Sequence, residues 1–136
     1  MRTRIAVAVL ALGSLSLGGC AAVALTALGV GMATGVSHTL SGMVYKTFTT
    51  PQAQVERAAY GALNRMQVQV TQAKRNGSSK TIYAKAGDRL IEIELEALTP
   101  NTTRMAVTAK KDGGILRDGA TATEVILQTE KIVGPT

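Results

Sequence analysis

The chain has 136 residues, of which 15 are basic and 9 acidic, with a net charge of +6, one cysteine and one histidine. This length provides at most one domain once a leader is removed, and a single cysteine excludes an internal disulfide. Aromatic residues make up only 3% of the chain. This scarcity argues against a stacking platform for single-stranded nucleic acid, so we expect no nucleic-acid partner.

The first twenty residues are typical of an export leader. Arg2 and Arg4 precede an apolar run, Ile5 to Leu17, whose length fits a signal peptide and is too short to span a hydrocarbon core of about 30 Å. The run ends in Leu17-Gly18-Gly19-Cys20, which resembles the lipobox of bacterial lipoproteins. The resemblance implies cleavage before Cys20 and a diacylglycerol on its sulfur, usually followed by N-acylation. The predicted signal peptide is residues 1–19, the predicted lipidation site is Cys20, and the predicted cleavage signal is Leu17, Gly18 and Gly19.

Other fates of this segment stay open. Cys20 could remain a free thiol or pair with another chain, as an odd cysteine in an exported protein can. An ordinary signal peptidase could remove the leader without lipidation. The apolar character from Ile5 to Val36 could instead form an uncleaved membrane span.

The segment after the cysteine is uncharged and rich in small residues. Residues 21–43 contain mostly Gly, Ala, Val and Thr and no charged side chain. We therefore interpret residues 20–42 as a flexible or loosely helical tether that lies near the bilayer interface. The small-residue spacing of Gly31 and Gly35 allows the alternative of a packing helix that helps the chain to oligomerise. Ala21 after Cys20 resembles lipoproteins sent to the outer membrane, so we expect the periplasmic face of that membrane if the host has one.

Residues 43–134 contain the predicted elements of one small domain. Val44–Phe48 is β-prone and predicts a short edge strand, and Thr50 followed by Pro51 predicts a helix with Thr50 as its N-cap. An apolar stripe with helical spacing follows: Val55, Ala58, Ala59, Ala62, Leu63 and Met66. The period then changes to two in Met66–Val70, which predicts a strand, and Lys74–Ser79 predicts a polar loop.

The next part of the sequence predicts two hairpins. Gly87-Asp88 suits a two-residue turn because glycine adopts positive φ at its first position, and Thr99–Asn101 suits a three-residue loop. Both connections align apolar residues of neighbouring strands, and a slip of one residue would expose the whole apolar set. The expected pairs are Ile82 with Ile93, Ala84 with Ile91, Ile93 with Val107, Leu95 with Met105, and Glu96 with Arg104.

A second helix completes the predicted fold. Asp118 is its expected N-cap, and Gly134 followed by Pro135 is a strong stop signal. Its apolar stripe is Ala122, Val125, Ile126, Thr129, Ile132 and Val133. The order β-α-β-β-β-β-α predicts an α+β two-layer sandwich, with a mostly antiparallel sheet and both helices on one face.

Four stretches of this sequence, together with the leader and the Gly/Ala-rich tether, resemble a known family. They are Tyr45-Lys46-Thr47-Phe48 before Pro51, Leu90 to Leu95, Leu98 to Arg104, and Asp118 to Ala122. Together they resemble a family of small bacterial lipoproteins of unknown function (domain of unknown function 3568). The resemblance covers most of Cys20 to Val133 and implies the anchor and the fold. It brings no activity, cofactor or catalytic residue.

The sequence contains no motif for catalysis or metal binding. Glu92, Glu94 and Glu96 lie about 7 Å apart along one strand face, whereas Ca²⁺ needs oxygen ligands from converging directions. His38 is far in sequence from any acidic residue. With Cys20 blocked by lipid, no Cys/His or Ser/His/Asp set exists. We therefore expect no catalytic, metal or cofactor site, and we do not expect an enzyme.

The expected function is a non-catalytic interaction or structural role in the cell envelope. The membrane is a partner through the lipid anchor, and an envelope protein or a cell-wall polymer is a possible second partner. The alternative is a periplasmic carrier that holds a small apolar ligand between the helices and the sheet. The polar sheet face is the candidate binding surface, and its expected members are Gln67, Gln69, Tyr83, Lys85, Glu92, Glu94, Arg104 and Lys110.

Overall fold

The computed structural model describes residues 37–38 and 42–135 of the chain. In this part, seven strands form one antiparallel sheet, and two helices pack against one of its faces. In chain order the elements are β1 (Ser37–His38), β2 (Met43–Phe48), α1 (Gln52–Arg65), β3 (Gln69–Asn76), β4 (Ser79–Ala86), β5 (Arg89–Thr99), β6 (Thr102–Lys111), a 3₁₀ turn (Asp112–Gly114), β7 (Leu116–Arg117) and α2 (Gly119–Val133). The predicted signal peptide, Cys20 and the part of the tether before Ser37 lie outside the described residues.

The sheet has the order β1-β2-β6-β5-β4-β3, and β7 pairs with the end of β6. Strands β3 to β6 follow one another as hairpins, and β2 lies on the other side of β6. The predicted cross-strand pairs are present: Ile82 with Ile93, Ala84 with Ile91, Ile93 with Val107, Leu95 with Met105, and Glu96 with Arg104. The predicted α+β sandwich is therefore confirmed.

The core lies between the sheet and the two helices. Both helices bury most of the stripes that their sequences predict: Val55, Ala58, Ala59, Ala62 and Leu63 of α1, and Ala122, Val125, Ile126 and Thr129 of α2. Met66, Ile132 and Val133, which end the predicted stripes, are only partly buried. The sheet presents alternate residues to them: Val44, Phe48, Ile82, Ala84, Ile91, Ile93, Leu95, Met105, Val107 and Ala109. Side chains repeat every 3.6 residues on a helix face and every two on a strand face, so the buried set follows the sequence pattern.

Two lysines interrupt the apolar inner face and join the helices to the sheet by ion pairs. The Lys46 Nζ atom on β2 lies 2.5 Å from the Glu130 carboxylate on α2, and Lys80 on β4 pairs with Glu56 on α1. The Lys46 side chain is 9% exposed and that of Glu130 is 34% exposed. A cation withdrawn from water needs a carboxylate at contact distance, so each pair fixes where its helix lies on the sheet.

Thr50 is not the N-cap of α1, and that prediction was wrong. The helix begins at Gln52, with Pro51 in the cap position and no side-chain cap hydrogen bond. The Pro51 carbonyl accepts a hydrogen bond from the Gln54 N–H at 3.0 Å. Thr50 is buried, and its own carbonyl accepts a hydrogen bond from the Thr103 hydroxyl at 2.8 Å. Thr50 thus connects the start of α1 to β6 and does not cap the helix.

The strand after α1 begins later and runs further than predicted. Gln67 has a φ of 57°, which turns the chain before β3 begins at Gln69. The strand continues to Asn76, so only Gly77 and Ser78 form the turn to β4. The predicted polar loop is therefore mostly strand. The hydrophobic pattern did not indicate the full length of this strand, because β3 is exposed along nearly all its length and its register shifts between Val70 and Gln72.

The turn between β5 and β6 is tighter than the predicted three-residue loop. Thr99 pairs with Thr102, and the register shifts between Ala97 and Thr99. The extra residue, Leu98, is 46% exposed. A bulge places two residues of one strand against one of its neighbour. The shorter turn and the bulge offset each other, which is why the remaining pairs keep the predicted register.

Two short strands were not predicted. β1 falls within the segment interpreted as a tether, and it pairs with Val44 and Tyr45. β7 pairs with Lys110 and Lys111. β2 is therefore not at the edge of the sheet, although only two described residues lie along its outer side. Among the helices of the described part, none is long and apolar enough to cross a membrane.

Candidate functional site

The face of the sheet opposite α1 and α2 is covered by neither helix, and we call it the open face. Its side chains are those that alternate with the buried ones along each strand, so the same pattern that builds the core also builds this surface. The register places them in rows across the sheet. One row is Tyr45, Ala106, Glu94, Thr81 and Lys74, and the next is Met43, Thr108, Glu92, Tyr83 and Gln72.

The first of two depressions on the open face lies over β2, β6 and β5. It has a volume of about 350 Å³. Its lining is Met43, Tyr45, Glu94, Glu96, Arg104 and Ala106. The register places Ala106 between Tyr45 and Glu94, and its methyl group leaves room between these two longer side chains. Met43 and Tyr45 are each 36% exposed, so this depression offers apolar and aromatic surface beside carboxylates.

The second depression lies over β3 to β6 and has a volume of about 360 Å³. Glu92, Tyr83, Lys110 and Leu90 are among its lining residues. The Lys74 ammonium lies 5.7 Å from the centre of the Tyr83 ring, a distance at which a cation is attracted to the ring face. The ring of Tyr83 is thus partly occupied by a side chain of the same molecule, whereas Tyr45 lines the first depression with its ring exposed.

The middle of the open face is acidic and its margins are basic. Glu96 pairs with Arg104 at 2.5 Å, as the predicted register requires. No ion pair within 4 Å involves Glu92 or Glu94 among the described residues. The cations lie further out, because Lys85 and Lys110 flank Leu90 at one end and Lys74 lies on β3. The free carboxylates therefore favour a cationic group at the centre of this face.

The open face differs from the predicted one in several residues, of which three matter most for binding. Gln67 is not part of it, because that residue turns the chain between α1 and β3. Tyr45 and Met43 belong to it and were missed. The signal was present in the alternation of Met43, Tyr45 and Thr47 with Val44 and Phe48. Lys46, which lies on the buried side, broke the apolar pattern that would have assigned the faces.

The described residues contain no group of three or more His, Cys, Asp or Glu side chains arranged to hold a metal ion. Glu92, Glu94 and Glu96 are extended along one strand, as the sequence indicates. His38 lies in β1, opposite Val44. The predicted lipidation site Cys20 and the cleavage signal Leu17, Gly18 and Gly19 lie outside the described residues. What the described open face offers is carboxylates, basic side chains and aromatic surface.

A separate carboxylate, Asp118, caps α2 as predicted. Its side chain accepts a hydrogen bond from the Thr121 N–H at 3.0 Å and another from the Thr121 hydroxyl at 2.7 Å. The Arg89 guanidinium donates to it at 2.8 Å. These hydrogen bonds, those from Thr121 first, lower the pKa of Asp118 from 3.8 to about 2. The bond to Asp118 raises the pKa of Arg89 in turn, so this cluster stabilises the start of α2.

The elements and their order define a small α+β two-layer domain. A family described as protein of unknown function (DUF3568) matches residues 4–114 of the chain, and the chain belongs to that family. The matched range includes Cys20 and most of the predicted leader, and it ends before β7 and α2. Asp118 to Ala122, one of the stretches on which the resemblance was based, thus lies outside the match. A search of curated proteins finds no match to this chain.

Proposed function

We propose that this protein is a membrane-anchored lipoprotein of a bacterial envelope, whose open face binds a partner protein without catalysis. The observation that carries the binding role is the uncovered acidic centre of the open face. There, Glu92 and Glu94 have no ion pair among the described residues, and Tyr45 is exposed beside them. Exposed aromatic side chains and unpaired charges around a depression are features of protein contacts.

The anchor is supported by the leader and by the extent of the family match. The basic start, the short apolar run and the small residues before Cys20 fit a lipoprotein signal, and the family match begins at residue 4. One acyl chain binds a membrane only marginally, and two or more hold a protein firmly. A diacylglycerol on Cys20 would therefore confine the domain to a membrane surface.

The anchor is tested by labelling cells with a radioactive or clickable fatty acid and measuring the intact mass of the purified protein. The parent chain should carry label and start at Cys20, and Cys20→Ser should give an uncut, unlabelled precursor. Label retained in Cys20→Ser would refute lipidation at this residue. An unlabelled parent chain with a free thiol would refute the anchor itself.

The partner should be a protein surface that presents a lysine or arginine beside an apolar group. Two unpaired carboxylates at the centre of the face call for a cation, and Met43 and Tyr45 offer apolar area next to Glu94. The basic margin at Lys74, Lys85 and Lys110 disfavours a partner of uniform positive charge, because like charges across an interface are repulsive. The charge pattern therefore selects a localised cation.

The binding face is tested with one double variant for each depression, both compared with a control on the helical side. Glu94→Lys with Tyr45→Ala alters the first depression, Glu92→Lys with Tyr83→Ala alters the second, and Glu124→Lys on α2 is the control. Cross-linking in intact cells should yield a defined complex with the parent and the control, and one face variant should lose it while keeping its melting temperature.

Retention of every complex by both face variants would refute the open face as the binding site. Binding of the parent chain to purified cell-wall polymer, lost in the same variants, would assign the face to a polymer and refute a protein partner. No observation on the described residues favours the alternative of an apolar-ligand carrier. The inner stripe of α1 consists of Val55, Ala58, Ala59, Ala62 and Leu63, all of them buried, and both depressions described above are on the open face.

A further inference from the structure

Three apolar side chains at one end of the sheet are exposed. Ile115 is 82% exposed, Leu116 48% and Leu90 43%. The 3₁₀ turn before Ile115 packs against β5, and a β-carbon placed on Gly114 would lie 3.8 Å from the Leu90 Cδ1 atom. We call Leu90, Ile115 and Leu116 the apolar end patch. Such a group differs from the single apolar residues that are scattered over any protein surface.

Basic side chains surround the apolar end patch. Lys110 and Lys85 pair with Leu90 from the two neighbouring strands, and Lys111 pairs with Leu116. Arg117 follows directly. The acidic residues at this end are Asp88, Asp112 and Asp118, and the last of these is already paired with Arg89 at 2.8 Å. Among the described residues at this end, the groups without an ion pair are therefore four cations and two anions, an excess of positive charge around the apolar side chains.

The start of β2 lies at this same end of the sheet. Gly42 is the first residue of the continuous described range, and a β-carbon on it would lie 3.0 Å from the Arg117 Cβ atom. β2 and β7 lie on the same side of β6, one after the other along it, since Met43 pairs with Thr108 and Arg117 with Lys110. The apolar end patch and the start of β2 are therefore adjacent, whereas the chain first meets the sheet at β1, which runs antiparallel to β2 from the level of Tyr45.

We propose that the apolar end patch lies on the surface of an anionic lipid bilayer, with its apolar side chains in the interface and the surrounding cations against lipid phosphates. This inference rests on the proposed lipid anchor. Apolar side chains and basic residues on one surface are the combination that binds anionic membranes. The strands would then point away from the bilayer, and the open face would be accessible from the side.

The test uses the acylated full-length protein in vesicles that contain phosphatidylglycerol and bromine-labelled acyl chains. An environment-sensitive dye is attached to Ile115→Cys in one sample and to Leu98→Cys in another, with the native Cys20 blocked by its lipid. Leu98 is the control because it is an exposed apolar residue at the other end of β5, eight residues from Leu90, or about 27 Å along the strand. We expect at least threefold stronger bromine quenching of the dye at position 115 than at position 98.

Two charge variants test the role of the lipid headgroups. Lys111→Gln with Arg117→Gln should reduce quenching at position 115 at least twofold, as should vesicles of phosphatidylcholine alone. Lys74→Gln with Arg75→Gln removes the same charge from β3 and should have no effect. Equal quenching at positions 115 and 98 in anionic vesicles would overturn the proposal, and equal loss in both charge variants would overturn the role of the end cations.

A further comparison distinguishes failure of the proposed lipid anchor from failure of the proposed bilayer contact. A dye that also labels Cys20 in the parent chain would show that the cysteine is not acylated. The comparison of positions 115 and 98 is then repeated in the Cys20→Ser background with added vesicles. Preferential quenching at position 115 there would support the surface without the anchor, and equal quenching would refute the surface as well.

Discussion

Replacement of Ile93 by alanine tests the assignment of the two sheet faces most directly. Ile93 lies on the central strand β5, fully buried, opposite Ile82 on one side and Val107 on the other. Truncation of a buried isoleucine to alanine costs about 2–5 kcal/mol, because transfer free energy is lost and a cavity remains. Domains of this size have a free energy of unfolding of roughly 5–15 kcal/mol, so Ile93→Ala removes a large part of it.

The matched control is the next residue on the same strand. Glu94 is on the open face and has no ion pair among the described residues, so Glu94→Ala should change the free energy of unfolding by about 0.5 kcal/mol or less. Each kcal/mol moves the melting temperature of a domain of this size by about 4–8 °C. We therefore expect circular dichroism melts to show a fall of about 10 °C or more for Ile93→Ala and little change for Glu94→Ala. Comparable shifts in both variants would refute the face assignment.

Two further predictions concern the attachment of α2. In a double-mutant cycle of Lys46→Met and Glu130→Gln, urea unfolding should give a coupling free energy of about 0.5–3 kcal/mol, since the two groups are in contact; strictly additive effects would show that this ion pair does not stabilise the fold. Asp118→Ala should cost about 1 kcal/mol at pH 7, as other N-cap losses do. Because the pKa of Asp118 is lowered from 3.8 to about 2 in the folded state, its contribution is present above pH 4 and is lost as the pH falls towards 2. The difference between parent and Asp118→Ala in acid titrations should therefore shrink over that range, and a difference that is constant from pH 6 to pH 2 would contradict this reasoning.

The central hairpins were predictable because each residue in the middle of β5 clearly belongs either to the apolar, buried face or to the acidic, open face. Its apolar and acidic residues alternate without exception from Ile91 to Glu96, so a shift of one residue would bury a row of carboxylates. The predicted register survived an error in the length of the β5–β6 turn, because the bulge at Leu98 compensates for the missing loop residue. Strong alternation therefore determines pairing more firmly than turn length does.

Prediction failed where polar residues have structural roles. Lys46 and Lys80 face the helices and are neutralised by Glu130 and Glu56, partners that are distant in sequence and cannot be inferred from local pattern. The consequence for the candidate site was the omission of Tyr45, whose face depends on that of Lys46. Short strands such as β7 were missed for a related reason, since two residues carry no period.

The outer edge of β3 affects whether copies of this protein aggregate when they are concentrated. An exposed strand edge offers unpaired backbone groups to which a strand of another molecule can add, and this is a common route to aggregation. Here the strand is kinked by its register shift between Val70 and Gln72 and carries the charges of Lys74 and Arg75. Both features oppose the addition of a further strand at this edge of the sheet.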